Sequence, residues 1–71
     1  MEMKPVKSSN IEAIGYDPAT QTLAVKFRHG GVYHYEGVPA SAHEALVNAK
    51  SVGGHFFQHI RNGFKSARQA N

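Results

Sequence analysis

Two alternating apolar segments on either side of a glycine pair constrain this 71-residue chain more than any other feature. From Thr22 to Arg28, Leu23, Val25 and Phe27 share one face of an extended strand, and Thr22, Ala24, Lys26 and Arg28 share the other. His29-Gly30-Gly31 then supplies the residues able to take positive φ that a tight hairpin needs. Val32 to Glu36 is the returning strand, with Tyr33 and Tyr35 on a common face. Loop register decides which face that is. A three-residue loop with a bulge pairs Phe27 near Tyr33 and buries both tyrosines, whereas a two-residue loop buries Val32 and His34. The first is preferred, because two large rings bury more apolar surface than one valine and one histidine.

Around this hairpin the remaining elements follow from local chemistry. Asn10 to Tyr16 reads as a first strand carrying Ile11, Ile14 and Tyr16, with Gly15 as a bulge or a point of close contact. Asp17-Pro18-Ala19-Thr20 is a turn in which Pro18 presets its own φ and Asp17 can bond the backbone two residues on. Gly37-Val38-Pro39 closes the sheet, and Pro39 suits the first turn of a helix over Ala40 to Lys50, where Ala42, Ala45, Leu46 and Ala49 recur at helical spacing. Ser51 caps a second helix that ends at Asn62-Gly63. At about 100° per residue, Val52, Gly53, Phe56, Phe57, Ile60 and Phe64 fall on its apolar side, and His55, Gln58, His59, Arg61 and Asn62 on its polar side. The neighbouring Gly53 and Gly54 point to a close helix approach or a strained first turn. Residues 1–8 lack periodicity and contain Pro5, which predicts a flexible arm. Residues 66–71 read as a polar, basic, fraying tail. The expected fold class is α+β: one domain over residues 9–65, a three-stranded antiparallel meander followed by two helices packed on one face.

Seventy-one residues allow one modest core, near the size at which small proteins often need a staple or a partner chain. With no cysteine, disulfides and thiolate-metal sites are excluded, so apolar packing, aided if needed by dimerisation, must supply stability. The N-terminus has no apolar stretch of the secretory kind and no run reaches membrane-spanning length, so a cytoplasmic, membrane-free protein is expected. The formal net charge of +3 is unevenly placed. Lys4 and Lys7 against Glu2 leave +1 in the first ten residues. Lys26, Arg28 and Lys50 against Glu12, Asp17, Glu36 and Glu44 leave −1 over 11–60, and Arg61, Lys65 and Arg68 stand unopposed after that. About three neutralised phosphates would give weak, strongly salt-dependent nucleic-acid binding.

Side chains with reactive chemistry do not converge on a reaction. His55 and His59 stand four apart on the polar face of the second helix, a spacing that lets two imidazoles reach one metal. The residues between them lack the glutamate of zinc-protease helices, and a third ligand would have to come from His43 or Glu44, so a metal is not expected. His29 is a turn residue with the capacity for general-base or phosphate contact, but no nucleophile or carboxylate pair stands at a matching spacing. Gly30-Gly31 lacks the following Lys-Ser or Lys-Thr of a phosphate-cradling loop. No catalytic residue and no cofactor is expected. A candidate nucleic-acid-binding strip remains: Lys26, Arg28 and His34 on the exposed sheet face, joined by Arg61 and Lys65. The alternative is a protein-interaction or homodimerisation module working through the sheet edge or uncovered apolar surface.

The ordered series Ser9-x-Ile11, Tyr16-Asp17, Leu23-x-Val25-x-Phe27, Gly30-Gly31-x-Tyr33-x-Tyr35-x-x-Val38-Pro39, Ala49-x-Ser51-x-Gly53 and Phe56 resembles the KTSC domain, over about residues 7 to 65. That module is named for the C-terminus of some lysyl-tRNA synthetases and also occurs as a stand-alone bacterial protein. The resemblance maps Tyr33 and Tyr35 onto the family's Tyr-x-Tyr motif, implies RNA binding through the synthetase context, and brings no catalytic residues.

Overall fold

Backbone pairing at both ends of the chain builds a wider sheet than the hairpin alone predicts. The computed structural model describes residues 2–68. Within them, strands β1 (Met3–Pro5), β2 (Ile11–Asp17), β3 (Thr22–Phe27) and β4 (Gly31–Glu36) precede helices α1 (Ala40–Val47) and α2 (Val52–His55). A π-helical turn, Phe56–Ile60, extends α2, and β5 (Lys65–Arg68) follows. The five strands are antiparallel and lie in chain order. Among the described residues the α+β class therefore holds, but the expected three strands are the centre of five.

Both additional strands fall where the sequence predicts none. Met3–Pro5 pairs with Gly15, Ile14 and Ala13, so the expected N-terminal arm is an edge strand, extended by a bond from the Val6 N–H to the Glu12 carbonyl (3.2 Å). Pro5 is tolerated there because an edge strand needs few N–H donors. At the other end, Lys65–Arg68 pairs along β4, taking in the first three residues of the expected tail; residues 69–71 lie outside the described residues. Each edge is short and carries cations, Lys4 with Pro5 on β1 and Lys65 with Arg68 on β5, a pattern that discourages further strand pairing.

The hairpin has the preferred register. Phe27 pairs with Gly31 across a three-residue loop, Val25 with Tyr33 and Leu23 with Tyr35. Gly31 takes φ 83°, a left-handed conformation that glycine adopts without steric cost. The turn after β2 also forms as expected, with the Ala19 N–H donating to the Asp17 carboxylate at 3.0 Å. The strand irregularity in β2 sits between Ile11 and Ala13 rather than at Gly15. It keeps Ile11 on the helix-covered face while directing Ala13 away.

The core lies between this face and the helices. Ile11, Leu23, Val25, Val38 and Leu46 are fully buried, and Phe56 and Ile60 nearly so. Ser51 caps α2 by accepting from the Gly54 N–H at 3.1 Å. Gly53 is buried because a Cβ there would come within 3.0 Å of the Ser8 Oγ, so glycine permits the approach of α2 to the strand-leading segment.

Candidate functional site

The helix-covered face of the sheet is not fully covered. Between the far end of the β3–β4 hairpin and the π-helical turn, an open cleft of about 530 Å³ remains. Phe27, Tyr33 and Tyr35 line it from the sheet, Phe56, Phe57 and Arg61 line it from the helical side, and Asn10, His29, Asn62 and Ser66 stand around its rim. Strand alternation explains the first set: Tyr33 and Tyr35 must share a face with their cross-strand partners Val25 and Leu23.

The helical side depends on angular position. Phe56 is 1% exposed, whereas Phe57, one residue on, is 38% exposed. The sequence places both on one apolar side, but that side spans a wide arc and the sheet covers only the part holding Val52, Phe56 and Ile60. Phe57, at the edge of the arc, faces the cleft. In the π-helical turn the Arg61 N–H donates to the Phe56 carbonyl at 2.9 Å, closing a ring one residue wider than an α-turn. Arg61 then lies over the Phe57 ring, 5.4 Å from its centroid, a cation-on-ring contact.

Phe56 organises the ring cluster, meeting Phe27, Tyr35 and Phe57 edge to face, each with centroids 5.4 Å apart. Tyr33 packs edge-on against Phe27 at 5.7 Å and remains half-buried, so part of its ring is available to a ligand. Tyr35 is buried. Burial pushes its phenol pKa above 10.0 and the neighbouring Tyr33 adds to the rise, while Arg61 and a side-chain hydrogen bond from Ser66 oppose it. Arg68 is not part of the lining: opposite Tyr33 on β5, its guanidinium lies 3.5 Å from where a Gly31 Cβ would stand. No carboxylate lines the cleft among the described residues.

The five residues singled out from the sequence as a nucleic-acid strip do not come together. Lys26, His34 and Lys65 do share the face turned away from the helices, as alternation requires. Glu12 meets Lys26 there at 3.1 Å, and Glu36 is the cross-strand partner of Lys65, so carboxylates interleave with the strip. Arg28 is taken up at the hairpin end, its Nε donating to the Ser8 carbonyl at 2.9 Å. Arg61 is on the opposite side of the sheet, in the cleft. His55 and His59 have ring centroids 4.5 Å apart, but among the described residues no group of three or more metal-binding side chains forms, so neither His43 nor Glu44 joins them. His43 instead stacks on Tyr16 at 4.5 Å, and its burial lowers its pKa. Sequence reasoning missed Phe57 as an exposed ring, Arg68 as the strand partner of Tyr33, and Asn10 and Asn62 at the rim. The distant placement of Arg68 needs β5, which has no periodicity signal of its own.

Within the described residues, no helix is long and apolar enough to cross a membrane. The KTSC domain family model matches residues 7–64. A crystal structure of a KTSC domain protein from Yersinia pestis superposes with a TM-score of 0.95, at 39% identity and 97% coverage of each chain. An uncharacterised protein of Stutzerimonas stutzeri (strain A1501) is 43% identical over 58 residues, 82% of either chain. A lysine–tRNA ligase of Nostoc sp. (strain PCC 7120) is 43% identical over 63 residues, which make up 89% of this chain but 11% of the ligase. Matched over most of its length by model, sequence and structure alike, this chain belongs to the KTSC domain family.

Proposed function

We propose that this chain is a small non-enzymatic binding module for RNA or another single-stranded nucleic acid, and that it takes a base in the aromatic cleft rather than on the outer sheet face. The observation that carries this reading is the composition of the cleft: the partly exposed rings of Tyr33 and Phe57, Arg61 against Phe57, and no acidic lining residue among the described residues. Ring faces stack any base and arginine planes hold bases and phosphates, a combination suited to unpaired strands. The likeness to part of a lysine–tRNA ligase fits a ligand of this class. On the outer face Lys26, His34 and Lys65 lack an aromatic platform, and Glu12 and Glu36 dilute their charge.

Fluorescence anisotropy with labelled oligouridylate at low salt tests the proposal. Tyr33→Ala is expected to weaken binding by about 1–3 kcal/mol, the usual cost of one lost stacking partner. A Lys26→Gln/Lys65→Gln variant should bind within about twofold of wild type. Absence of binding by the wild-type chain, or a larger loss from the outer-face variant than from Tyr33→Ala, overturns it.

A further inference from the structure

Beside the cleft lies a second depression of about 350 Å³, and the two share Asn10 and Phe57 as lining residues. Lys7 and Lys50 line this second depression together with Ser9 and Ser51, and no carboxylate does so among the described residues. Two lysines 43 positions apart in sequence meet here for a local reason. The Ser8 Oγ accepts from the N–H groups of Asn10 (3.3 Å) and Ile11 (3.2 Å), which bends the chain just before β2. Gly53 lets the start of α2 come against Ser8 at that bend. Lys7 and Lys50, each next to one of these contacting segments, are thereby set beside the same groove, and both are exposed.

Resting on the nucleic-acid reading above, we infer that cleft and groove form one continuous site for a short single-stranded RNA segment. A base stacks against Tyr33 and Phe57, and the adjoining backbone passes Asn10 to set its phosphates on Lys7 and Lys50. Charge complementarity selects this occupant. The aromatic end suits a base, and the lysine end, without carboxylates, suits phosphate held as point charges. Phe57, 38% exposed, lines both compartments, so a ligand that spans them contacts it from each side of the junction. The site therefore has a minimum ligand length, which a single nucleotide does not satisfy.

Anisotropy with oligouridylates of one, two, four and six nucleotides, measured over a salt series, tests this with wild type and a Lys7→Gln/Lys50→Gln variant. Affinity is expected to rise between one and four nucleotides and then level off. The double variant should weaken the tetranucleotide at least fivefold, leave the mononucleotide within twofold, and reduce the slope of log affinity against log salt by about 1.4, the value for two phosphates on a single strand. Both substitutions are at exposed positions, and an unchanged far-ultraviolet circular dichroism spectrum confirms the fold. If the oligonucleotides bind but the double variant changes neither affinity nor slope, the groove is not the backbone path and this inference fails while the cleft reading stands. If no oligonucleotide binds, both fail. Equal competition by hexaglutamate would mean that the lysines take any polyanion, and would also overturn it.

Discussion

The two faces of the one sheet are built from opposite kinds of side chain. Towards the helices the central strands carry Ile14, Leu23, Val25, Tyr33 and Tyr35, whose bulk makes the core, and Tyr33 and Tyr35 also wall the cleft. On the far face the matching positions are Ala13, Gly15, Ala24, His34 and Ala67. Ala24 is only 2% exposed although it points away from the helices, because it sits low between Gly15 and His34 and longer neighbours shade it. A methyl group shielded in this way offers little to grip. The charges on that face alternate in sign, with Lys26 beside Glu12 and Lys65 opposite Glu36, whereas Arg61 lies over the Phe57 ring. Charge count alone does not mark a binding face. What the cations stand beside distinguishes the two.

The sharpest way to break this comparison is to separate core rings from cleft rings. Phe56→Ala removes a ring that touches three others and is expected to destabilise by about 3–5 kcal/mol, enough to unfold so small a domain. Chemical denaturation measures it, and a loss below about 1 kcal/mol would mean that Phe56 is not the centre of the core. Its neighbour should behave differently. Phe57→Ala is expected to cost about 1 kcal/mol of stability or less, since that ring is already 38% exposed, yet to weaken oligouridylate binding by about 1–3 kcal/mol. Equal effects of the two substitutions on stability would erase the distinction between core and cleft.

That distinction was partly legible in sequence, and the reason differs from residue to residue. Alternation around Gly30-Gly31 is enough to put Tyr33 and Tyr35 with Leu23 and Val25, and the same alternation sends Lys26 and His34 to the far side. The Asp17 turn and the Ser51 cap are local hydrogen-bonding devices and are equally readable. β1 and β5 are not, because Met3–Pro5 and Lys65–Arg68 are too short for periodicity and take their register wholly from the strands beside them. Phe57 differs from Phe56 only in angle, and a helical projection does not reveal where the sheet stops covering the helix. The cleft depends on both of these illegible features, so its residues were visible singly but their meeting was not.

At the opposite end of the helix-covered face, His43 supplies a smaller, pH-dependent effect. Burial against Tyr16 lowers its pKa from the ordinary 6.5; Lys4 acts in the same direction and Glu44 against it. The fold therefore prefers the neutral imidazole. Below about pH 6.5 the unfolded chain binds a proton that the folded chain resists, so this contribution is complete above that pH and declines as pH falls towards the depressed folded value. Thermal melts from pH 8 to pH 5 should show the loss, and His43→Gln should flatten the curve in that window. An unaltered pH dependence in the variant would assign the effect to another group.

The smallest effect belongs to the outer face. Lys26 and Glu12 are 3.1 Å apart, but their side chains are 48% and 46% exposed, so water and salt screen most of their attraction. Breaking the pair with Glu12→Gln is expected to change stability by less than about 1 kcal/mol, and less still at high salt. Its informative consequence concerns binding. Removing the carboxylate frees Lys26 and makes the outer strip more basic, which is the change that should strengthen oligouridylate binding if that strip contacts the ligand. Unchanged affinity at low salt is expected if the ligand occupies the cleft. A several-fold gain in affinity that high salt abolishes would instead place nucleic acid on the outer face.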